Sequence, residues 1–204
     1  MKERGMIFNA EMVRAILDGK KTQTRRPIKW KQTRFTEIAE RDDGSLWPWA
    51  EDCERGGDIW FACPYGEMGD RIWVRETFRV HSRATDVATL VYRASVRNSW
   101  TEQTHRVPVA VCNKPATPEK WTPSIHMPRW ASRITLEVTG VRVERLNSIT
   151  ESDAEAEGVT DTGFGDLLVD GYRYLWKSIY GEESWAANPW VWVIEFKRVE
   201  GGAA

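Results

Sequence analysis

The sequence predicts an α+β domain: a small mixed β-barrel with flanking helices. Strand-like stretches recur at residues 71–78, 134–143 and 190–196, and three helical stretches precede or separate them. Helices and strands do not alternate in the regular order that repeated βαβ units require, which excludes a doubly wound parallel sheet. The 204 residues, 41% of them hydrophobic, suffice for one core, so we expect a single domain over residues 1–204.

The first helix is predicted from its cap, its apolar face and its end. Asn9 is a good N-cap, and Gly19 stands where helices commonly stop. The apolar residues between them fall on one helical face: Met12, Val13, Ile16 and Leu17. We therefore expect this helix to deliver the residues after Gly19 to a fixed place.

A basic segment follows the helix, residues 19–27 with the sequence GKKTQTRRP. Pro27 disfavours a helical continuation and favours extended geometry at Arg26. In a regular strand Lys21 and Thr24 would face opposite sides, so their side chains meet only if the backbone turns between them.

Two interpretations of this basic segment are open. One is a solvated basic turn or an anion site. The other is a Thr24 nucleophile with Lys21 as its base, because a threonine hydroxyl is a weak nucleophile until a neighbouring group accepts its proton. A lysine can be that base only when burial or nearby cations lower its pKa, and Lys20, Arg25 and Arg26 are such cations.

Two long stretches, residues 30–62 and 96–130, are expected to have little regular structure. The first mixes charge runs with a Trp-Pro-Trp element, and the second carries five prolines. Near the end of the strand at 71–78, Arg75 and Glu76 either line a cavity mouth or form an ordinary strand-end ion pair. His126 and Trp130 are candidate ligand contacts, although a lone histidine is more often a satisfied polar residue.

The carboxyl-terminal part carries the third candidate catalytic residue. Residues 150–153 approximate a capping box that opens a short acidic helix, and Gly158 stops it. Glu157 lies at the far end of this helix, where the dipole disfavours a carboxylate, which suits an acid or a base. An ordinary surface helix is the alternative. Before it, Gly140 separates apolar alternations of opposite parity, which predicts a glycine bulge.

The charge distribution is asymmetric although the net charge is only −1. Residues 1–34 hold ten lysines and arginines against three acids, a local excess of seven positive charges, and residues 151–170 hold seven acids and no base. The two segments either bracket a polar ligand or pair across the surface. The small net charge excludes a global basic field that would hold nucleic acid by its phosphates.

The remaining composition indicates no metal, no cofactor and no membrane segment. The three cysteines and three histidines are scattered without zinc-ligand spacing. The chain starts without an apolar leader and has no apolar run long enough to cross a bilayer, so we expect a cytoplasmic protein without an obligate protein partner. Most of the twelve tryptophans are expected in the core, with one or two forming a wall for a ligand.

Four motifs together resemble the ASCH-domain family, whose fold is similar to the PUA domain. They are GKKTQTRR at 19–26, GDRIWVRE at 69–76, AEAEG at 154–158 and VIEF at 193–196. The chain looks most like the longer phage-type members, which also carry MPRW, here at 127–130, and NPWVW, here at 188–192. The resemblance implies a PUA-like barrel with insertions at about residues 30–62 and 96–130.

The resemblance also implies an activity. A small bacterial ASCH enzyme, similar at the first and third motifs, hydrolyses the amide of N4-acetylcytidine with a lysine, a threonine and a glutamate. These correspond to Lys21, Thr24 and Glu157. Neutral Lys21 would take the Thr24 proton, Thr24 would attack the acyl carbonyl, and Glu157 would protonate the leaving amine. Arg26 or backbone amides would stabilise the oxyanion, and a modified cytidine would be the substrate.

Two residues differ from those of that enzyme, and two other functions are open. Arg25 stands where the small enzyme has an apolar residue, and Gly158 stands where it has an amide. Other relatives bind RNA, and ribonuclease activity is ascribed to some, so RNA is the alternative partner. A non-enzymatic interaction protein of phage origin is the third interpretation.

Overall fold

The computed structural model describes residues 1–30, 37–54, 56–160 and 167–199. The chain divides into two compact units. The first comprises Met1–Gly19, Asp70–Glu137 and Arg198–Ala204, and the second comprises Lys20–Gly69 and Val138–Lys197. The single domain over residues 1–204 stays a prediction. Residues 31–36 and 55 of the first predicted insertion, and residues 161–166 of the acidic segment, lie outside the described residues.

The regular elements are short, and strands outnumber helices in the described ranges, which makes the protein α+β as predicted. The helices are α1 (Ala10–Leu17), α2 (Trp100–Gln103), α3 (Glu151–Ala156) and α4 (Leu168–Tyr180). The strands are β1 (Glu3–Ile7), β2 (Gln23–Pro27), β3 (Glu37–Glu40), β4 (Leu46–Glu51), β5 (Asp58–Trp60), β6 (Arg71–Arg75), β7 (Phe78–Arg83), β8 (Val87–Tyr92), β9 (Thr104–Pro108), β10 (Thr135–Arg145) and β11 (Trp190–Val199).

The first unit contains a mixed set of strands and an antiparallel sheet. Strand β1 pairs in parallel with β6, and β6 pairs in antiparallel fashion with the start of β10. Strands β7, β8 and β9 form the antiparallel sheet, and its apolar residues build a core that includes Phe78, Leu90 and Tyr92. The mixed pairing was predicted, whereas closure into a barrel stays a prediction.

The second unit holds the segments on which the candidate trio lies. Strands β10, β11 and β2 are neighbours in that order, and β2 pairs with β11 in antiparallel register. Helices α3 and α4 pack together with β11 around a buried apolar cluster that includes Ala154, Tyr172, Trp176 and Val193. This cluster anchors α3 beside β2, because Val193 is the register partner of Arg25.

The prediction of an irregular stretch at residues 30–62 was wrong for its described part, which forms the antiparallel sheet β3-β4-β5. The proline in β4 misled the prediction, because a proline cannot donate to a ladder. Pro48 instead accepts: its carbonyl takes a hydrogen bond from the Phe61 amide at 2.9 Å. Trp47 donates to the Phe61 carbonyl at 2.7 Å, and the Arg41 guanidinium lies over the Trp47 ring.

Two other boundaries differ from the prediction. The strand expected over 71–78 is two strands, since β6 ends at Arg75 and β7 begins at Phe78. The stretch 96–130 contains α2 and β9, which its proline content hid, and is otherwise irregular apart from single 3-10 turns.

The predicted caps are confirmed. Asn9 Oδ1 accepts the Met12 amide at 2.8 Å and opens α1. Thr150 and Asp153 form the capping box of α3, with each side chain accepting the other residue's amide. These local signals were readable in the sequence because every partner lies within three residues of the other.

In β10 the buried side chains switch from even-numbered to odd-numbered residues across Gly140, as predicted. A glycine is favoured at this position because a neighbouring side chain occupies the space of a Cβ atom. Leu136 and Val138 are buried before the glycine and Val143 after it. A Cβ atom on residue 140 would lie 2.7 Å from Glu195 Oε2, too close for any larger residue to fit without a shift. Gly140 therefore makes room for the Glu195 carboxylate.

Candidate functional site

The site is centred on a buried contact between Lys21 and Glu157. The Lys21 ammonium donates to Glu157 Oε2 at 2.6 Å and to the Glu157 carbonyl at 2.8 Å. The Lys21 side chain is fully buried, and the Glu157 side chain is 1% exposed. A buried amine and carboxylate at this distance form a charge-assisted hydrogen bond in a low-dielectric environment.

Local backbone structure explains why these two residues meet. Lys21 forms an isolated antiparallel bridge with Glu157, and the Thr22 amide donates to the Ala156 carbonyl at 2.8 Å. Gly158 has a φ of 86°, in the left-handed region that favours glycine, so α3 ends at Ala156 with Glu157 as its C-cap. The last carbonyls of a helix lack intrahelical partners, and a cation is favoured there by the helix dipole. Lys21 donates to the Glu157 carbonyl and also places a cation at this end of the helix.

Burial changes the proton affinity of Lys21. Desolvation lowers the pKa of its ammonium, contact with Glu157 opposes that change, and the charges of Arg26 and Arg25 lower the pKa further. The net direction is downward, so Lys21 gives up its proton more readily than a lysine in water. This is the property that the sequence interpretation required of a lysine base.

Arg25 contacts the second oxygen of Glu157. Its guanidinium lies 3.5 Å from Glu157 Oε1, 3.3 Å from Glu144 Oε2 and 3.2 Å from Asp153 Oδ2, and its side chain is fully buried. Arg25 therefore joins the catalytic candidate Glu157 to two further carboxylates. The sequence had indicated Arg25 only as a neighbouring cation, because its acidic partners are more than a hundred residues away.

Arg142 binds the two further carboxylates that Arg25 contacts, and one more. It donates to Asp153 Oδ1 at 2.9 Å and also pairs with Glu144 and with Glu195, the carboxylate that occupies the space above Gly140. We call this set of residues the charged cluster: Lys21, Arg25, Arg142, Glu144, Asp153, Glu157 and Glu195. Its inner end at Lys21 is buried, and its outer end at Glu195 is solvent-exposed.

Asp153 supplies a pH-dependent part of the stability of the cluster. Burial raises the pKa of its carboxyl, but hydrogen bonds from Thr150 and Gln23 and the charge of Arg25 together lower it to about 2 from 3.8. The contribution of a lowered carboxyl pKa is present above 3.8 and is lost as the pH falls through about 2. Asp153→Asn is therefore expected to lower the free energy of unfolding by about 2 kcal/mol at neutral pH.

Urea-induced unfolding at several pH values measures this effect. The difference in the free energy of unfolding between the wild type and Asp153→Asn should become smaller as the pH falls below the ordinary pKa of an aspartate. The matched control is Asp170→Asn, because Asp170 forms an exposed pair with Arg173 and should change the stability by less than about 0.5 kcal/mol. A pH-independent difference for Asp153→Asn would contradict the assignment.

Thr24 lies on the face of strand β2 opposite to that of Arg25. Residues 23–27 form the strand without a turn, so the side chains of Thr24 and Arg25 leave opposite faces. Thr24 is buried, and among the described residues no hydrogen bond connects it with Lys21, whose ammonium bonds both go to Glu157. The structure thus brings Lys21 and Glu157 together, and the participation of Thr24 stays a prediction.

Arg26 and two tyrosines belong to the same electrostatic environment. Burial raises the pKa of Tyr172 well above its ordinary value, and the charge of Glu157 raises it further, while Arg25 and Arg26 oppose the change. Burial likewise raises the pKa of Tyr65, opposed by Arg26. Both phenols therefore remain neutral donors. The sequence analysis singled out neither Tyr65 nor Tyr172, because neither belongs to a motif with a chemical spacing pattern.

Four predicted substrate contacts belong to the first unit. Glu76 is buried and makes two hydrogen bonds with Arg133, at 2.9 and 3.1 Å, so the strand-end pair expected between Arg75 and Glu76 is replaced by a long-range one. Arg75 lies over the Trp73 ring and donates to the Ile125 carbonyl. Their role in binding stays a prediction, as it does for His126, which is exposed, and for Trp130, whose ring packs edge-on against Phe78.

Among the described residues, no group of three or more histidine, cysteine, aspartate or glutamate side chains is arranged to hold a metal ion. In those ranges none of the helices combines the length and the hydropathy needed to cross a membrane.

Comparison with known proteins gives one distant structural similarity. No protein-family model matches the chain, and no curated protein matches it. A search of solved structures finds the crystal structure of an ASCH domain from Lactobacillus crispatus JV V101, with 13% identity and a TM-score of 0.40. The alignment covers 97% of this chain and 79% of that domain. Similarity at this level does not establish a family.

Proposed function

We propose that the protein is an ASCH-domain protein with a PUA-like fold, and that it hydrolyses the N4-acyl amide of acylated cytosine nucleosides. The observation that carries the proposal is the Lys21–Glu157 contact, an amine and a carboxylate 2.6 Å apart and both shielded from water. Amide hydrolysis needs a base to activate the nucleophile and an acid to protonate the leaving nitrogen. A single buried pair of this kind can supply both.

The direction of the Lys21 pKa supports its role as the base. A lysine whose pKa is lowered by burial is partly neutral at a lower pH than usual, and only a neutral amine accepts a proton. In the proposed first step, Lys21 takes the proton of the Thr24 hydroxyl, and Thr24 Oγ1 bonds to the acyl carbon. Lys21 and Thr24 must come within hydrogen-bond distance in the substrate complex for this step.

The short contact between Lys21 and Glu157 then provides a route for the same proton. The Lys21 ammonium passes it to Glu157 Oε2, and Glu157 delivers it to N4 as the bond between the acyl carbon and N4 breaks. Cytidine leaves, and the acyl group remains as an ester on Thr24. Water, deprotonated by the Glu157 carboxylate, attacks the ester carbon, and the bond from this carbon to Thr24 Oγ1 breaks. Glu157 returns the proton through Lys21 to Thr24 Oγ1, so that the carboxylic acid leaves and the threonine hydroxyl is restored. In this scheme Arg26 stabilises the oxyanion that forms when the acyl carbon is attacked.

The substrate class rests on the four motifs that resemble the ASCH family, and the charges of the site are compatible with it. Lys21 and Arg25 both contact Glu157, and Arg25 also pairs with Glu144 and Asp153, so the positive charges are compensated within the protein. Such a site favours a neutral ligand over a phosphate chain. The neutral phenols of Tyr65 and Tyr172 add donors suited to the carbonyl oxygens of a pyrimidine or of an acyl group.

The experiment is incubation of the purified protein with N4-acetylcytidine, with chromatographic detection of cytidine and acetate. We expect stoichiometric release of both products. N4-acylcytidines with larger acyl groups, tested in parallel, define the acyl preference. Heat-denatured protein is the control. Absence of turnover on every acyl group would contradict the proposal.

RNA binding is a second candidate function, favoured by stacked arginine–tryptophan pairs in the first unit. Arg75 lies 5.4 Å from the centre of the Trp73 ring, and Arg79 lies 4.6 Å from that of Trp121. Such pairs can stack on bases and contact phosphates. A salt titration separates the two functions: affinity for a single-stranded RNA would fall steeply with salt, whereas the KM for a neutral nucleoside would hardly change.

A further inference from the structure

Glu157 has a cation on each of its carboxylate oxygens. Lys21 binds Oε2, and the guanidinium of Arg25 lies 3.5 Å from Oε1. Both cationic side chains are fully buried. The proposed reaction uses Lys21 and Glu157 but gives Arg25 no part, although Arg25 occupies as central a position in the cluster.

A single buried ion pair would hold the lysine proton firmly. Removing the proton from Lys21 would leave the Glu157 carboxylate as an uncompensated charge in a low-dielectric environment, which is strongly unfavourable. A second cation on the same carboxylate changes this, because the carboxylate remains paired after the lysine becomes neutral. The arrangement of Arg25 supplies such a cation.

We propose that Arg25 is a positioning residue and the second counter-ion of Glu157, so that the Glu157 carboxylate keeps a cationic partner when Lys21 releases its proton. This inference rests on the proposed function of the same site. Arg25 acts through Glu157 and Lys21, and it forms no bond to the substrate in this scheme. The proton lost by Lys21 goes to solvent before the substrate binds, and the Thr24 proton later replaces it.

The surroundings of Arg25 fix its guanidinium independently of Glu157. Glu144 and Asp153 bind its other nitrogen at 3.3 and 3.2 Å, and Arg142 in turn binds both of these carboxylates. Their side chains are 26% and 17% exposed, so they retain contact with water that Glu157 lacks. Arg25 therefore stays in place whether or not Lys21 carries a proton.

Charged and titratable groups from five elements or their ends face this part of the cluster. They are Arg25 and Arg26 of β2, Asp153 and Glu157 of α3 and its cap, Arg142 and Glu144 of β10, Glu195 of β11, and Tyr172 of α4. The charges of Glu157, Arg25 and Arg26 act directly on the pKa of Lys21. Arg25 and Lys21 both contact the Glu157 carboxylate. A substitution of Arg25 therefore tests the counter-ion role most directly.

The test compares Arg25→Met, which removes the charge, with Arg25→Lys, which keeps it. Two readouts are followed against pH: kcat/KM for N4-acetylcytidine, and the NMR signal of the Lys21 side chain, assigned by its loss in Lys21→Met. In Arg25→Met we expect both transitions to move to higher pH by about one unit, with activity recovered at alkaline pH. Arg25→Lys should stay close to the wild type.

Arg142→Met is the matched control, since Arg142 belongs to the same cluster but contacts Glu144, Asp153 and Glu195 rather than Glu157. It should leave the Lys21 transition near its wild-type position. If Arg25→Met does not fold, Glu144→Gln takes its place: removing a negative charge beside Arg25 should move the Lys21 transition to lower pH.

The outcomes separate this inference from the proposed function. If the wild type shows no hydrolysis, the proposed function fails, and the NMR transition of Lys21 still tests the role of Arg25. If Arg25→Met lowers activity equally at every pH and leaves the Lys21 transition unmoved, Arg25 is merely structural and the inference is overturned. An upward movement as large in Arg142→Met as in Arg25→Met would overturn it as well.

Discussion

Replacing Thr24 by valine is expected to lower kcat/KM for N4-acetylcytidine by about a thousandfold or more. Valine keeps the β-branched shape that fits strand β2 and removes only the hydroxyl that is proposed to attack the acyl carbon. Thr24 is buried and pairs in register with Ile194, so the substitution preserves the strand. The rate is followed by the ultraviolet change on loss of the acyl group.

Thr24→Ser is the control for this substitution, because it retains a nucleophilic hydroxyl and should keep measurable activity. A Thr24→Val variant with nearly wild-type activity would show that Thr24 is not the nucleophile. In that case, water activated by Lys21 would replace it in the first step. This comparison matters because strand alternation directs Thr24 and Arg25 to opposite faces of β2.

Replacing Glu157 by glutamine is expected to lower the free energy of unfolding by about 3–5 kcal/mol at neutral pH. The substitution removes the charge that compensates Lys21 and Arg25, both fully buried, and leaves those cations without their shared partner. Urea-induced unfolding measures the loss. The double variant Lys21→Met with Glu157→Gln should recover part of it, because one of the buried cations is then absent as well.

Glu182→Gln is the control for the stability measurement. Glu182 pairs with Lys177, and its side chain is 82% exposed, so the substitution should change the stability by less than about 0.5 kcal/mol. A Glu157→Gln variant as stable as this control would indicate that the Lys21–Glu157 contact is solvated or relaxed in solution. The buried pair would then lose the property on which its chemistry depends.

Local features of the fold were predictable from the sequence because their partners are close in the chain. Asn9 caps α1 through an amide three residues away, and Thr150 and Asp153 cap α3 across the same spacing. Gly158 directly follows Glu157, the C-cap at which α3 ends, as its conformational freedom suggested. These signals placed Glu157 at a helix end before any tertiary contact was known.

The charged cluster was only partly predictable because it depends on long-range register. The chain neighbours of Lys21 indicated that Arg25 and Arg26 could lower its pKa, and both charges have that effect. Nothing local indicated that Arg25 would meet Glu144 of β10, which is separated from β2 by β11, or Asp153 of α3, which packs beside β2. Contacts separated by more than a hundred residues leave no spacing pattern in a single sequence.

The sheet β3-β4-β5 and the partner of Glu76 were missed for related reasons. In β4 the proline argued against a strand, yet its carbonyl supports the ladder through the Phe61 amide. Glu76 was expected to pair with its neighbour Arg75, whereas burial favours the bidentate guanidinium of Arg133. In each case a tertiary contact outweighed the preference of the local sequence.

The most direct measurement is the hydrolysis of N4-acetylcytidine by the wild type and by Lys21→Met, side by side, after both have been checked for folding. If the buried pair is the reactive centre, the wild type releases cytidine and acetate, and Lys21→Met is slower by about a thousandfold or more. A wild type that releases no cytidine from acetyl or larger acyl substrates, or a Lys21→Met variant as active as the wild type, would contradict it.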